Sequence, residues 1–299
     1  MKKITNDLFK AIERQMYNRA RDIDLAVFNS LFIDNDKEMV LQAISMYQNA
    51  DGGFGHQLEI DNLNPYSTAV QTEEALKILK LVGYKSINED EFLKEILNKA
   101  FKYLYDKSIR ITNKWLLSEP SNDKFPCAKW YKYNEETKGL SNYNPTASIV
   151  GLTLYFCEPN MKFYKKALQL VDGIIKGFYM LENVNENDLN SFKVFIDCLK
   201  EKDLQFEGLN QLEEDIKNKA FELNTSILEI FDGYTSNENI DELINNSLDS
   251  LIDELKPHGL WEVGYKWETE YPEEESAMLK HMGNITYKNL YLLKKFNRI

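Results

Sequence analysis

Three titratable side chains lie within six residues, in a segment that follows a glycine turn. They are His56, Glu59 and Asp61. An imidazole beside two carboxylates can donate and accept protons, and the carboxylate oxygens can also ligate a divalent ion. A solvated polar loop, in which Asp61 or Asn64 caps nearby backbone, explains the same residues without catalysis. We predict Asp61 and Glu59 as the acids of a site and His56 as a proton carrier.

A second acidic segment lies near the C-terminus, where five carboxylates fall within residues 268–275. Glu268 lies in a stretch bounded by Trp267 and Tyr271, and burial against such rings raises the pKa of a carboxyl group. Residues 273–275 precede a predicted helix, whose N-terminal dipole favours negative charge without any catalytic role. We therefore predict Glu268 as the catalytic candidate of this segment.

The two acidic segments can act together only if the fold brings them face to face. Glu59 or Asp61 opposite Glu268 would then form a carboxylate pair. Such a pair serves glycosidic hydrolysis, with one acid and one base or nucleophile.

Aromatic residues accompany both acidic segments. Their rings can stack on sugars or stabilise positive charge, although most aromatic residues of a helical protein belong to its core. The predicted ligand contacts are Phe54, Tyr66, Trp130, Trp261, Trp267 and Tyr271, within a wider set that adds Trp115, Tyr131 and Tyr133.

The first acidic segment lies inside a predicted helix–turn–helix unit. A helical apolar pattern ends at Gln48, and Asp51-Gly52-Gly53 predicts a turn because glycine adopts positive φ at little cost. Ser67-Thr68 then offers a hydroxyl cap to a helix whose small and apolar residues recur at helical spacing. The loop 54–66 is thereby held between two helices.

Helical periodicity covers most of the chain, and long aromatic loops interrupt it at 109–145 and 256–275. Long loops carry function more often than short connections do. Because no linker is visible, one domain over residues 1–299 is predicted, with two halves around residues 183–190 as the alternative. The predicted helices are 5–18, 23–33, 37–48, 68–82, 89–106, 146–157, 161–181, 187–201, 208–230, 238–255 and 276–296.

The hairpin resembles the repeat of terpenoid cyclases and protein prenyltransferases. The matching residues are Gln48, Asp51, Gly52, Gly53 and Phe54, then Ser67, Thr68, Ala69, Gln71 and Thr72. The resemblance implies an all-α fold, an α/α toroid in which two concentric rings of helices, about 11 or 12 in six hairpins, surround a cavity. Residues 20–61 also resemble bacterial prenyltransferase-like toroid proteins, and weaker echoes of the repeat occur at 143–154 and 259–272.

The chain lacks the motifs with which cyclases and prenyltransferases carry out their reactions. Cyclases that begin by protonation carry an aspartate-rich motif before Thr-Ala, whereas this chain has Asn64-Pro-Tyr-Ser-Thr-Ala69 and Asn144-Pro-Thr-Ala147. Prenyltransferases bind zinc through Asp, Cys and His, and the three cysteines here lie in no such motif. No metal and no cofactor is therefore predicted.

Composition excludes several classes of partner. A formal charge of −12 disfavours nucleic acid and anionic membrane surfaces, since phosphate binding needs a basic surface. No apolar run is long enough for a membrane span. An odd number of scattered cysteines and an N-terminus without a signal-peptide pattern lead us to expect the cytoplasm.

Three functions remain open from the sequence. The first, which the sequence favours, is binding of a small apolar or isoprenoid-type ligand in a central cavity, without the usual cyclase aspartate motif or prenyltransferase zinc ligands. The second is a carbohydrate-active enzyme, a glycosidase or lyase, that uses paired carboxylates at the mouth of the toroid. The third is an interaction module whose acidic outer surface engages a basic protein partner.

Overall fold

The computed structural model describes residues 1–299, of which 57% are helical and 4% lie in strands. The prediction of an all-α protein is therefore confirmed. In chain order the α-helices are α1 (Asn6–Arg19), α2 (Asp22–Phe32), α3 (Glu38–Ser45), α4 (Ala69–Leu81), α5 (Glu91–Lys102), α6 (Thr146–Phe156), α7 (Lys162–Leu168), α8 (Val171–Phe178), α9 (Glu186–Glu201), α10 (Leu209–Leu223), α11 (Ile227–Ile230), α12 (Glu238–Asp253) and α13 (Glu273–Lys295). Between α5 and α6 lie a short antiparallel hairpin, β1 (Arg110–Ile111) and β2 (Lys114–Trp115), and 3₁₀ turns at Pro120–Lys124 and Lys129–Tyr131.

The chain forms two compact units. The first comprises Met1–Ala43, Ala220–Lys266 and Pro272–Ile299, and the second comprises Ile44–Lys219 and Trp267–Tyr271. Within the first unit, α13 packs against α1 and α2. Within the second, α6 packs against α4, α7 and α9. The assignment of all residues to one domain stays a prediction.

Most predicted helices are found within a few residues of their expected bounds, and the exceptions have local causes. The predicted helix 208–230 divides into α10 and α11 because Asn224 and Ser226 both take a left-handed φ of 48°, a region that residues with a side chain seldom occupy. The predicted segment 161–181 divides into α7 and α8 at Gln169. The predicted segment 89–106 continues past α5 as a π-helical turn over Tyr103–Lys107.

Helices α4 and α6 are deeply buried in the second unit. Every residue of α6 is buried, and so is each residue from 69 to 76 in α4. A helix surrounded in this way has no solvent-facing stripe, so its polar side chains must find partners inside the protein. Helix α4 nevertheless carries the consecutive polar residues Gln71, Thr72, Glu73 and Glu74.

The structure contains no membrane-spanning helix and no disulfide bond. No helix is both long enough and apolar enough to cross a bilayer. Cys127, Cys157 and Cys198 are buried and unpaired. Burial raises the pKa of the Cys127 thiol to about 11, so that thiol is protonated at neutral pH.

Candidate functional site: an acidic cluster around Tyr131

The glycine turn before the acidic loop is a packing device. Gly52 has a φ of +99°, and a Cβ atom there would lie 2.4 Å from a carbonyl oxygen of α5. A Cβ atom on Gly53 would lie 2.5 Å from the Cβ of Ser67. Gln48 donates from Nε2 to the Gly52 carbonyl at 3.0 Å and to a carbonyl of α5 at 2.9 Å. The residues that carry the family resemblance thus fix one hairpin in place.

The first turn of α4 shapes the acidic loop that follows the glycines. The Thr72 hydroxyl accepts the backbone N–H of Phe54 at 3.0 Å. The Gln71 amide accepts the N–H of Leu58 at 3.0 Å and donates to the carbonyl of Asn64 at 2.9 Å. The stretch 58–64, which contains the predicted acids, is therefore tied at both ends to one buried side chain.

Backbone hydrogen bonds join one distant segment to the acidic loop and a second distant segment to the first. The Ala128 N–H donates to the Asp61 carbonyl at 2.8 Å. The Lys129 N–H donates to the Trp267 carbonyl at 2.9 Å. Residues from three parts of the second unit are consequently layered side by side, with Trp267–Tyr271 against the segment that leads to Tyr131.

Asp61 and Trp267, both predicted as site residues, meet directly. The indole Nε1–H of Trp267 donates to Asp61 Oδ1 at 2.7 Å. Asp61 is 4% exposed and Trp267 is fully buried. The hydrogen bond satisfies one oxygen of a buried carboxylate that would otherwise be costly to desolvate.

The charges of four carboxylates act on one buried phenol, that of Tyr131, and we call Glu59, Asp61, Glu73 and Glu74 the acidic cluster. Burial raises the pKa of the Tyr131 phenol, and the charge of each of these four groups raises it further. Nearby negative charge has this effect because it disfavours a second anion at short range. The Tyr131 hydroxyl is therefore a stable hydrogen-bond donor inside an acidic environment.

Lys77 and Ser148 bind the glutamates of the cluster. The Lys77 ammonium lies 3.2 Å from Glu73 Oε1 and 3.3 Å from Glu74 Oε2. The Ser148 hydroxyl, on α6, donates to Glu73 Oε1 at 2.5 Å. Burial raises the pKa of Glu73, and Lys77 and Ser148 offset only part of that effect. Glu73 consequently holds a proton more strongly than an ordinary glutamate.

The other predicted catalytic residues lie at the surface of the second unit. His56 is exposed, with its Nε2 3.0 Å from Asn49 Oδ1. Glu268 is exposed, and its carboxylate pairs with Lys129 at 2.7 Å. That pairing lowers the pKa of Glu268. The partner of Glu268 is thus a lysine rather than Asp61, although the neighbouring Trp267 binds Asp61.

The predicted ligand-contact residues divide by exposure. Phe54 and Trp261 are buried, and Trp261 belongs to the first unit, where its indole N–H donates to a carbonyl of α12. Their rings present no free surface to a ligand in this structure. Tyr66 and Trp130 are exposed, and Tyr271 is half-buried with its hydroxyl bound by a lysine.

Sequence reasoning missed the part of the cluster that lies on helices. Glu73, Glu74 and Lys77 were not predicted, and Ser148 appeared only as part of a repeat echo. Tyr131 was predicted for its ring and not for its hydroxyl. A signal does exist: a run of four polar residues lies between small and apolar residues at the start of α4, and such residues need partners when the helix is buried.

Comparisons with known proteins do not assign the acidic cluster. No three His, Cys, Asp or Glu side chains come together in a geometry that could hold a metal ion. The chain matches no protein-family model, no curated protein and no solved structure.

Proposed function

We propose that the acidic cluster binds a polyhydroxylated substrate and cleaves a glycosidic bond by general acid–base catalysis. The observation that carries the proposal is a pair of buried carboxyl groups with different partners: Asp61 accepts the Trp267 indole N–H, and Glu73 accepts the Ser148 hydroxyl. Carboxyl groups held in different environments are what such chemistry needs, because one must donate a proton while another accepts one or attacks.

The environments of two carboxyl groups suggest their roles. Glu73 is the general acid, since burial raises its pKa and favours the protonated form. Asp61 is the base or nucleophile, since its Oδ1 accepts an N–H bond and so is held as an acceptor. Ser148 orients Glu73, and Tyr131 offers a hydroxyl to a sugar oxygen.

Access to the cluster requires a covering segment to move. Asp61, Glu73 and Tyr131 are all buried. The segment Trp267–Tyr271 is bound to Asp61 by the Trp267 indole and to the surface by an exposed ion pair. The exposed ion pair stabilises weakly, so the Trp267 indole is the main anchor of this segment. We propose that the segment swings outward and uncovers the Asp61 carboxylate by breaking the Trp267–Asp61 hydrogen bond.

A second candidate is an apolar, isoprenoid-type ligand in the cavity of an α/α toroid. The resemblance of the hairpin to cyclases and prenyltransferases supports it, and the rings of Tyr131 and Trp267 beside carboxylates suit a cationic hydrocarbon intermediate. A prenyl diphosphate is disfavoured because the cluster would repel its charge. Polar contacts that link α4, α6 and α9 in chain order, from Glu73 to Ser148 to Ser191, support the toroid. A crystal structure with the ligand bound would test both.

Hydrolysis assays on a panel of α- and β-linked oligosaccharides test the first candidate. We expect Asp61→Asn and Glu73→Gln each to lower kcat by a factor on the order of 100 or more, while the melting temperature of Asp61→Asn stays close to that of the parent protein. Glu268→Gln is the matched control and should keep its activity. Equal activity in Asp61→Asn, or a hydrocarbon found in place of sugar by native mass spectrometry, would contradict the glycosidase proposal.

A further inference from the structure

Glu119 reaches from the long loop 109–145 to the N-terminus of α4. Its side chain is 6% exposed, and Oε1 accepts the backbone N–H of Ala69, the first residue of that helix, at 2.9 Å. Thr68 supplies the local cap by accepting the N–H of Gln71 at 3.2 Å. One end of α4 is therefore fixed by a neighbour in sequence and also by a carboxylate far away in sequence.

Hydrogen bonds and short stretches of backbone connect this cap to the acidic cluster. Gln71 lies in the same first turn of α4 and is fully buried. Its amide binds Leu58 and Asn64, which flank the acids of the loop. Asp61 in turn accepts the indole N–H of Trp267 at 2.7 Å. The first turn of α4 and the loop that carries Asp61 are thus in direct contact through the Gln71 side chain.

The groups around Glu119 make its charge sensitive to pH. Burial raises the pKa of Glu119 to about 7, and the charge of Asp51 on the glycine turn adds to the effect. Tyr103, on the π-helical turn, is also close, since the charge of Glu119 raises the pKa of that phenol, and its hydroxyl donates to the Ser67 carbonyl at 2.8 Å. The Lys107 ammonium binds the backbone carbonyl of Asp51 at 2.8 Å. Both protonation states of Glu119 are therefore populated near neutral pH.

We propose that Glu119 is a positioning residue for the acidic cluster, acting through the first turn of α4 and switched by the binding of one proton. The ionised carboxylate accepts the Ala69 N–H in a charge-assisted bond at the positive end of the helix dipole. A proton taken from solvent neutralises it and weakens that bond. Gln71 then shifts with the helix end, and the loop that carries Glu59 and Asp61 shifts with it. An effect of this movement on catalysis rests on the proposed function, whereas the movement of the loop does not.

Nuclear magnetic resonance of the full chain, without ligand, tests the inference. The Ala69 amide and the Trp267 indole N–H report on the two ends of the contact route. In the parent protein we expect both signals to titrate with one midpoint near pH 7. In Glu119→Gln, whose amide oxygen can still accept the Ala69 N–H, both titrations should disappear. A Trp267 signal that does not titrate, or one that still titrates in Glu119→Gln, overturns the proposal.

His56 lies on the same loop as Asp61, and its imidazole is the group that the matched control removes. The variant His56→Gln should keep both titrations, and their loss there would overturn the role of Glu119. If Glu119→Gln fails to fold, the parent protein and His56→Gln still decide whether Ala69 and Trp267 share a midpoint that is independent of the imidazole. Because no substrate is needed, a shared midpoint in a protein that cleaves no sugar would refute the proposed hydrolysis and leave the positioning role intact.

Discussion

Two acidic segments of this protein have similar compositions but differ in burial and in the partners of their carboxylates. The loop 54–66 and the segment 267–275 each combine carboxylates with aromatic rings and precede a helix. In the first, Asp61 is buried and bonded to an indole N–H. In the second, Glu268 is exposed and paired with Lys129. The contrast shows that depth and hydrogen-bond partners, rather than the number of carboxylates, separate a candidate site from a solvated surface.

Glutamate pairs at helix starts show the same contrast. Glu73 and Glu74 lie in the second turn of buried α4, where Lys77 binds both. Glu273 and Glu274 occupy the first turn of α13, where the helix dipole favours negative charge. The second pair needs no function to explain it, whereas the first pair costs desolvation energy that packing alone would not require.

The largest expected effect comes from removing the ring that joins the two segments. Trp267→Ala should lower the free energy of unfolding by about 3–5 kcal/mol, because the indole is fully buried and donates to Asp61. The matched control is Trp130→Ala, whose side chain is 40% exposed and should cost far less. Urea unfolding of the three proteins measures the difference. Similar losses in both variants would mean that Trp267 is no more central than a surface tryptophan.

The next effect separates the charge of Asp61 from its role as an acceptor. Asp61→Ala leaves the Trp267 indole N–H buried without a partner, so we expect a loss of about 1–3 kcal/mol. Asp61→Asn keeps an acceptor oxygen and should melt close to the parent protein. Calorimetry on both variants, in parallel with the activity assay, provides the measurement. A large loss in Asp61→Asn would make the negative charge itself a structural requirement.

The pH dependence of stability should have opposite signs for a buried and an exposed carboxyl group. Burial raises the pKa of Glu119 to about 7. The contribution of Glu119 to the free energy of unfolding is therefore complete below the ordinary glutamate pKa of about 4.3 and is lost as the pH rises through 7. Glu119→Gln should therefore be more stable than the parent protein above neutral pH, by an amount on the order of 3 kcal/mol. In thermal melts, the difference in melting temperature between Glu119→Gln and the parent protein should widen as the pH rises. A difference that is constant with pH would contradict a raised pKa.

The smallest effect is expected at the exposed pair. Lys129 lowers the pKa of Glu268, so any stabilisation is present above the ordinary glutamate pKa and fades as the pH falls through the lowered value. We expect Glu268→Gln to leave the melting temperature at neutral pH unchanged within error, and added salt to change nothing further. Melts at low and high salt check this. A clear loss in Glu268→Gln would place the pair among the contacts that hold Trp267–Tyr271 closed.

Local sequence patterns predicted the helices well and their interruptions poorly. The helix predicted over 146–157 is found at Thr146–Phe156, since the spacing of apolar residues is a local property. The division of the segment 208–230 depends on left-handed residues at Asn224 and Ser226, which helical periodicity does not reveal. The α/α toroid, the ligand and the catalytic roles stay predictions.

The sequence predicted the loop residues of the candidate site but not its helix residues, for a physical reason. Glu59 and Asp61 stand out because they are close together in an acidic loop after a glycine turn. Glu73 and Glu74 lie on a helix, where glutamate is a common surface residue, so only burial distinguishes them. Tyr131 comes from a loop some seventy residues further along the chain, and Trp267 from far beyond it.

The sequence by itself determined the all-α class, the position of the glycine turn and the loop that carries Asp61, because helix periodicity, caps and glycine dihedrals act between near neighbours. The tertiary structure decided which carboxylates are buried and which partner each one meets. Hydrogen bonds such as that from Trp267 to Asp61, and the lowered dielectric around Glu73 and Glu119, arise only when segments distant in the chain are packed together and water is excluded between them.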